Sequence, residues 1–295
     1  MRKTMLAKLR TLIAAAAALA ALPAAADTVD RIADTSRLVA VGGSITEIVY
    51  ALGEEGRLIA RDSTGTYPPQ ATALPDVGYM RALSPEGVLS VEPSGILAIE
   101  GSGPADALEV LKKASVPIVM VPDGFDREGI LAKIRAVGHA IGVDDKAARL
   151  AGKVDRQIRD AQALTAKVAE RKRVLFILST QGGKLLASGT NTAADGIIAM
   201  AGGVNAVDGY EGYKQISDEA VIEAKPDFVL MMDREGDHDA AADELLAHPA
   251  IAATPAGRDR AVIRMDGAYL LGFGPRTAAA ARELATDLYG NTLAN

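Results

Sequence analysis

Two groups of loop residues in this 295-residue chain have the side chains to do chemistry. In the first, Tyr79 and Arg81 stand two apart in Gly78-Tyr79-Met80-Arg81, shortly after Tyr67-Pro68-Pro69. In an extended segment that spacing turns both side chains to one face. Tyr67 precedes a proline, which biases its backbone to be extended. A free phenol ionises near pH ~10. An arginine beside it favours the phenolate by charge and by hydrogen bonding. A phenolate is a hard oxygen ligand suited to ferric iron, and tyrosine is among the side chains that ligate haem iron. A loop tyrosine that is merely half-buried packing gives the same pattern. The second group comprises Ser179-Thr180-Gln181-Gly182-Gly183-Lys184, Tyr210 and Tyr213 in a Gly-rich loop, and Tyr269 to Arg276. Their glycines permit close backbone approach to a ligand; ordinary surface turns have the same composition.

Other chemistries are poorly supplied. Gly42-Gly43-Ser44-Ile45-Thr46-Glu47 has the flavour of a phosphate loop, but the lysine of G-x-x-x-x-G-K-[ST] is missing. A glycine turn capping a helix is the better reading. The three histidines, His139, His238 and His248, lack the spacing of a zinc or manganese site. With no cysteine there is no disulfide, thiolate metal site or Cys nucleophile. No G-x-S-x-G elbow is present. An extracytoplasmic α/β hydrolase, using the Gly42–Ser44 turn on a phosphate ester, stays as the reading of a different class.

The elements that must position these loops alternate between short apolar runs and helical spacing. Strands are expected at Arg37–Val41, Arg57–Ala60, Ile96–Ile99, Ile118–Val121, Val174–Leu178, Phe228–Met232 and Ala261–Arg264, with helices at Thr46–Leu52 and Ala193–Met200. From Asp144 to about Arg171 the apolar residues Ala147, Leu150, Ala151, Val154, Ile158, Ala161 and Leu164 recur at helical spacing. That predicts one long helix joining two α/β lobes, residues 27–143 and 172–295, with central, mainly parallel sheets. Ligands in such sheets sit beyond the carboxyl ends of the strands and between domains. The halves also share a pattern: Ser84, Glu86, Val88 and Pro93 align without gaps to Ser217, Glu219, Val221 and Pro226. Each copy reads as a serine N-cap, a short helix, a proline stop and a strand.

At the N-terminus Arg2, Lys3, Lys8 and Arg10 precede an apolar run from about Leu12 to Leu22 and then Ala24-Ala25-Ala26. This has the form of a cleavable signal peptide over residues 1–26. The run is short of the ~20 residues that span a bilayer. The expectation is export without stable membrane insertion. Cleavage removes four basic residues and leaves 28 basic against 38 acidic ones, a poor balance for binding nucleic acid or anionic lipid.

Four blocks carry a family resemblance: Val41 to Gly53, Leu74 to Gly87, Ala187 to Asp195, and Tyr269 to Arg276. Over nearly the whole mature length the chain resembles the periplasmic haem-binding proteins of bacterial haem-uptake ABC transporters. These belong to the helix-linked class that also carries cobalamin and ferric siderophores, which remain the same-fold alternative. The resemblance implies a monomeric periplasmic carrier, not an enzyme, that delivers ferric haem b to an ABC permease whose ATPase subunits supply the energy. It implies Tyr79 as axial ligand to the haem iron, Arg81 as its hydrogen-bonding cation and Tyr67 as reserve ligand. Gln181, Tyr210 and Arg276 are implied as further ligand contacts. Some relatives add a histidine from the second lobe; Thr180-Gln181-Gly182-Gly183 has none, so ligation by one tyrosine is expected. The class docks on its permease through one acidic residue per lobe, which here would be Glu86 and Glu219.

Overall fold

Four short aliphatic runs, bounded by glycine, proline or polar residues, form the first sheet. They are β1 (Leu38–Val41), β2 (Leu58–Arg61), β3 (Gly95–Ile99) and β4 (Ile118–Val121). The order is β2-β1-β3-β4, and every pair is parallel. β1 and β3 are buried along their whole length, as expected where both faces of a parallel sheet are covered. The computed structural model describes residues 30–233, 238–290 and 293. The expected signal peptide at 1–26 lies outside the described residues.

The second sheet holds β5 (Arg173–Ser179), β6 (Leu185–Ser188), β7 (Val204–Asn205), β8 (Tyr213–Ile216), β9 (Phe228–Asp233) and β10 (Val262–Asp266). Its order is β10-β9-β5-β6-β8, with β7 also on β5. β5, β7, β9 and β10 run parallel, while β6 is antiparallel to both β5 and β8. The α/β class with mainly parallel sheets therefore holds, with an antiparallel margin that the sequence did not announce.

The repeated serine pattern folds alike in both copies. Ser84 Oγ accepts from Gly87 N at 3.3 Å and caps the Pro85–Leu89 helix; Ser217 Oγ accepts from Ala220 N at 3.3 Å and caps Asp218–Ala224. Each helix leads into a central strand, β3 beside β1 and β9 beside β5.

Two helix ends differ from expectation. The first helix spans Gly43–Ala51 and begins three residues before Thr46. Gly42, at φ 116°, reverses the chain directly out of β1, and its carbonyl already accepts from Ile45 N and Thr46 N. The long helix spans Asp144–Leu164 and stops short of Arg171. Thr165 closes it by bonding back to Gln162 O, and the chain then turns past Gly202, where a side-chain carbon would sit 2.3 Å from Thr165 Oγ1. At ~1.5 Å per residue the helix is about 30 Å long. Its buried stripe, Ala147, Ala151, Val154, Ile158 and Ala161, packs on the Arg127–Ala140 and Thr277–Tyr289 helices. The largest buried cluster runs through this stripe and includes residues beside both sheets, from Ile45 and Ile48 to Phe176 and Phe273.

Candidate functional site

The Tyr79 segment lies between β2 and the Pro85–Leu89 helix and belongs to no helix or strand of its own. It is nevertheless pinned. Ser63 N donates to Gly78 O at 2.9 Å, Met80 N to Asp62 Oδ2 at 3.2 Å, and Gly103 N to Met80 O at 2.9 Å. The chain does not run extended through Tyr79 and Arg81. Ala82 N closes a turn onto Tyr79 O at 2.8 Å, so alternation cannot be what relates the two side chains. The turn arises because both peptide groups of Met80 are claimed by distant segments. Tyr79 is 44% exposed, and among the described residues its hydroxyl has no hydrogen-bond partner. Arg81 is likewise exposed, with no ion pair among the described residues. An exposed phenol and an exposed guanidinium are thus presented from one turn held by hydrogen bonds.

Tyr67 is placed differently. The Arg276 guanidinium stacks on its ring 3.5 Å from the centroid, and 5.2 Å from the Tyr269 centroid. The same Arg276 donates from Nε to Glu47 Oε2 and from its backbone N to Glu47 Oε1, each at 2.9 Å. Glu47 is buried on the Gly43–Ala51 helix. Burial pushes its carboxyl pKa up, and Arg276 opposes that shift. Next to it, the fully buried Lys133 donates to Asp123 Oδ1 at 2.6 Å and to Phe273 O at 3.1 Å. Burial pushes the Lys133 pKa down against the pull of Asp123 and Glu47. Phe273 is itself fully buried, edge-on to Phe125 at 5.4 Å. The segment from Tyr269 to Arg276, expected at the ligand, is thus a plug from the second-sheet side that seats in the first-sheet side.

A cavity of about 560 Å³ opens beside this plug, lined among others by Glu47, Tyr50, Tyr67, Lys153, Arg276 and Arg282. Tyr79 and Arg81 are not among the residues that line it. Opposite Arg81 stands Tyr213, a residue that sequence reasoning noted but did not select. Burial pushes its pKa up, while Thr192, the Ala194 backbone and the positive charge of Arg81 pull it down. Its ring sits edge-on to Phe176 at 6.3 Å. Tyr210, the selected neighbour, donates its hydroxyl to Ala187 O at 3.2 Å, and its pKa is raised by burial. The charge of Arg81 reaches Tyr213, whereas Lys214 stands over the Tyr210 ring, 5.2 Å from its centroid. Gln181 lies in the Gln181–Gly183 turn after β5.

Glu86 and Glu219 are both exposed, each in the first turn of its serine-capped helix. Glu86 Oε2 accepts from Ser84 Oγ at 2.9 Å. Hydrogen bonds from its own backbone and from Ser217 hold the Glu219 carboxyl below the usual range. The Gly42–Ser44 turn does not offer a free phosphate cradle, since Gly42 N is already bonded to Asp62 Oδ1 at 2.9 Å. Among the described residues no three His, Asp or Glu side chains gather as a bare-ion site, and no helix is long and apolar enough to cross a membrane.

Comparison with known proteins bears on this arrangement. The periplasmic heme-binding protein BhuT, solved with two hemes, is 41% identical and aligns over 85% of this chain and 97% of its own, at TM-score 0.80. The periplasmic heme-binding protein RhuT from Roseiflexus sp. RS-1, in apo form, is 38% identical over 89% of this chain and 100% of its own, at TM-score 0.83. A Vitamin B12-binding protein of Pectobacterium atrosepticum is 26% identical over 66% of this chain and 71% of its own. The profile of the family described as Periplasmic binding protein matches residues 38–269. On that match, which spans β1 to the Tyr269 plug, the chain belongs to the periplasmic binding protein family.

Proposed function

We propose that this protein is an exported carrier that captures ferric haem and hands it to an ABC permease, performing no catalysis itself. The observation that carries this reading is the Tyr79 turn: an exposed phenol without a hydrogen-bond partner among the described residues, two positions from an exposed Arg81 that forms no ion pair among them. In this reading Tyr79 supplies the axial oxygen and Arg81 its hydrogen-bonding cation. Tyr67, 40% exposed with its ring under Arg276, is the reserve ligand. Similarity to two heme-binding proteins at 38–41% identity supports haem over a corrinoid, for which the cited likeness is 26%. In this reading residues 27–143 and 172–295 are the two lobes, the segment from residue 144 to 171 with its long helix joins them, and residues 1–26 direct export. The carrier acts as a monomer, and Glu86 and Glu219 meet the permease.

A hemin titration of the mature protein, followed by absorption spectroscopy beside Tyr79→Phe, tests this. The expected result is saturable binding with a phenolate-to-iron charge-transfer band that the variant lacks. Saturable binding with an unchanged band in the variant would move the ligand away from Tyr79. No saturable binding by the parent protein would remove haem and leave corrinoids and siderophores to be screened.

A further inference from the structure

We propose that Asp62 is the positioning residue that fixes Tyr79 for ligation. This rests on the haem reading for its consequence, though not for its geometry. Asp62 follows β2, is fully buried, and is itself hung from β1 through its backbone N–H to Ala40 O at 2.9 Å. Its carboxylate gathers three segments. Oδ1 accepts from Gly42 N at 2.9 Å, at the turn out of β1. Oδ2 accepts from Met80 N at 3.2 Å, the peptide that follows Tyr79, and from Thr64 N at 3.2 Å. The Thr64 hydroxyl lies 2.8 and 2.9 Å from the two oxygens.

Every neighbour in this set donates. Three N–H groups and one O–H converge on one carboxylate, a surround that the acceptor-only ionised form fits and an amide does not. Burial pushes the Asp62 pKa up, and the four donors oppose that shift. A carboxylate desolvated here has a bland explanation, the closing of a surface loop. What exceeds it is the placement of the arms. The Tyr79 turn has no regular structure of its own, and the Met80 arm ties its peptide directly to the β1 turn. Asp62 therefore transmits the position of the sheet to the phenol. A ligating group must be held within about 0.5 Å of its productive position by locked neighbours.

The test uses Asp62→Asn, which keeps the shape but turns an NH2 group against either Gly42 N–H or the Thr64 and Met80 N–H pair. Thr64→Val removes only the hydroxyl arm and leaves the carboxylate free to rock. Two readouts are taken. In the ligand-free protein, 3-fluorotyrosine placed at position 79 reports its environment by fluorine NMR. In the loaded protein, ferric haem dissociation and the charge-transfer band are compared with binding of metal-free protoporphyrin, which Tyr79 cannot ligate. Asp62→Asn is expected to split or broaden the single fluorine line and to speed haem loss by about tenfold, the scale of one charge-assisted hydrogen bond. Metal-free porphyrin binding is expected to stay unchanged, and Thr64→Val to move both readouts less, in the same direction. A folded Asp62→Asn with the parental fluorine line and haem dissociation overturns the proposal. So does equal weakening of both porphyrins, which would mark a general loop role. Should Asp62→Asn fail to fold, an unchanged Thr64→Val overturns it. If the parent protein takes up no haem, the function fails on that result, while the fluorine line still decides the role of Asp62.

Discussion

Arg276 does three things with one side chain. It pairs with buried Glu47, covers the Tyr67 ring and approaches Tyr269. Removing one partner of a buried pair leaves the other charge desolvated, at a cost of a few kcal/mol. Arg276→Met should therefore destabilise the fold by about 3 kcal/mol in urea titration, and adding Glu47→Gln should recover part of that loss. A cycle in which the two effects simply add would show that the pair is not coupled. The sequence marked Arg276 as interesting through its Gly-Phe-Gly-Pro-Arg setting, but not for this task. Its partner lies 229 residues away, and no local pattern reports such a contact. That Tyr79 sits in a loop was legible from the glycine beside it and the lack of a periodic run, while its ligand role came only from the family resemblance. The turn that holds it was not legible, since Asp62 and Gly103 reach it from separate loops.

At the level of elements, the long helix is fastened to its neighbour by charge as well as by its apolar stripe. Asp155 accepts from Arg127 Nε at 2.5 Å and pairs with Arg159 at 2.9 Å. The Arg127 hydrogen bond, with Arg159 adding, holds the Asp155 carboxyl below its ordinary value of 3.8. Because the folded value lies below the unfolded one, the contribution is complete above about pH 4 and is lost as pH falls through the folded value. Asp155→Asn should accordingly flatten the acid limb of a melting-temperature profile below about pH 4 while leaving its slope near neutrality unchanged. The seven expected strands all form, because continuous aliphatic runs suit a sheet covered on both faces. β7 and β8 escaped notice for a different reason. β7 has only two residues, and β8, Tyr213-Lys214-Gln215-Ile216, is an edge strand without a buried residue. Such strands are set by their partners rather than by their own composition.

For the whole molecule, the matching positions of Glu86 and Glu219 make a prediction about delivery rather than capture. Reversing both charges, Glu86→Lys with Glu219→Lys, should leave the hemin titration unchanged, since neither side chain takes part in the hydrogen bonds that hold the Tyr79 turn. Haem transfer to the permease in proteoliposomes should fall by at least about tenfold, as expected when like charges replace paired ones at an interface. Equal transfer by the double variant would reject the docking role.

The buried ammonium of Lys133 has a mechanical consequence. It is riveted to Asp123 on its own side and to the Phe273 carbonyl on the other. Drawing the two halves straight apart would strip this ion of an acceptor before water could replace it, so that direction is stiff. Motions that pivot on the rivet, such as a twist about the long helix, would keep both of its acceptors. Under the carrier reading, cargo exchange is therefore expected to proceed across an open face whose walls tilt, with the transporter acting as a lever on the rims rather than parting the halves like the covers of a book.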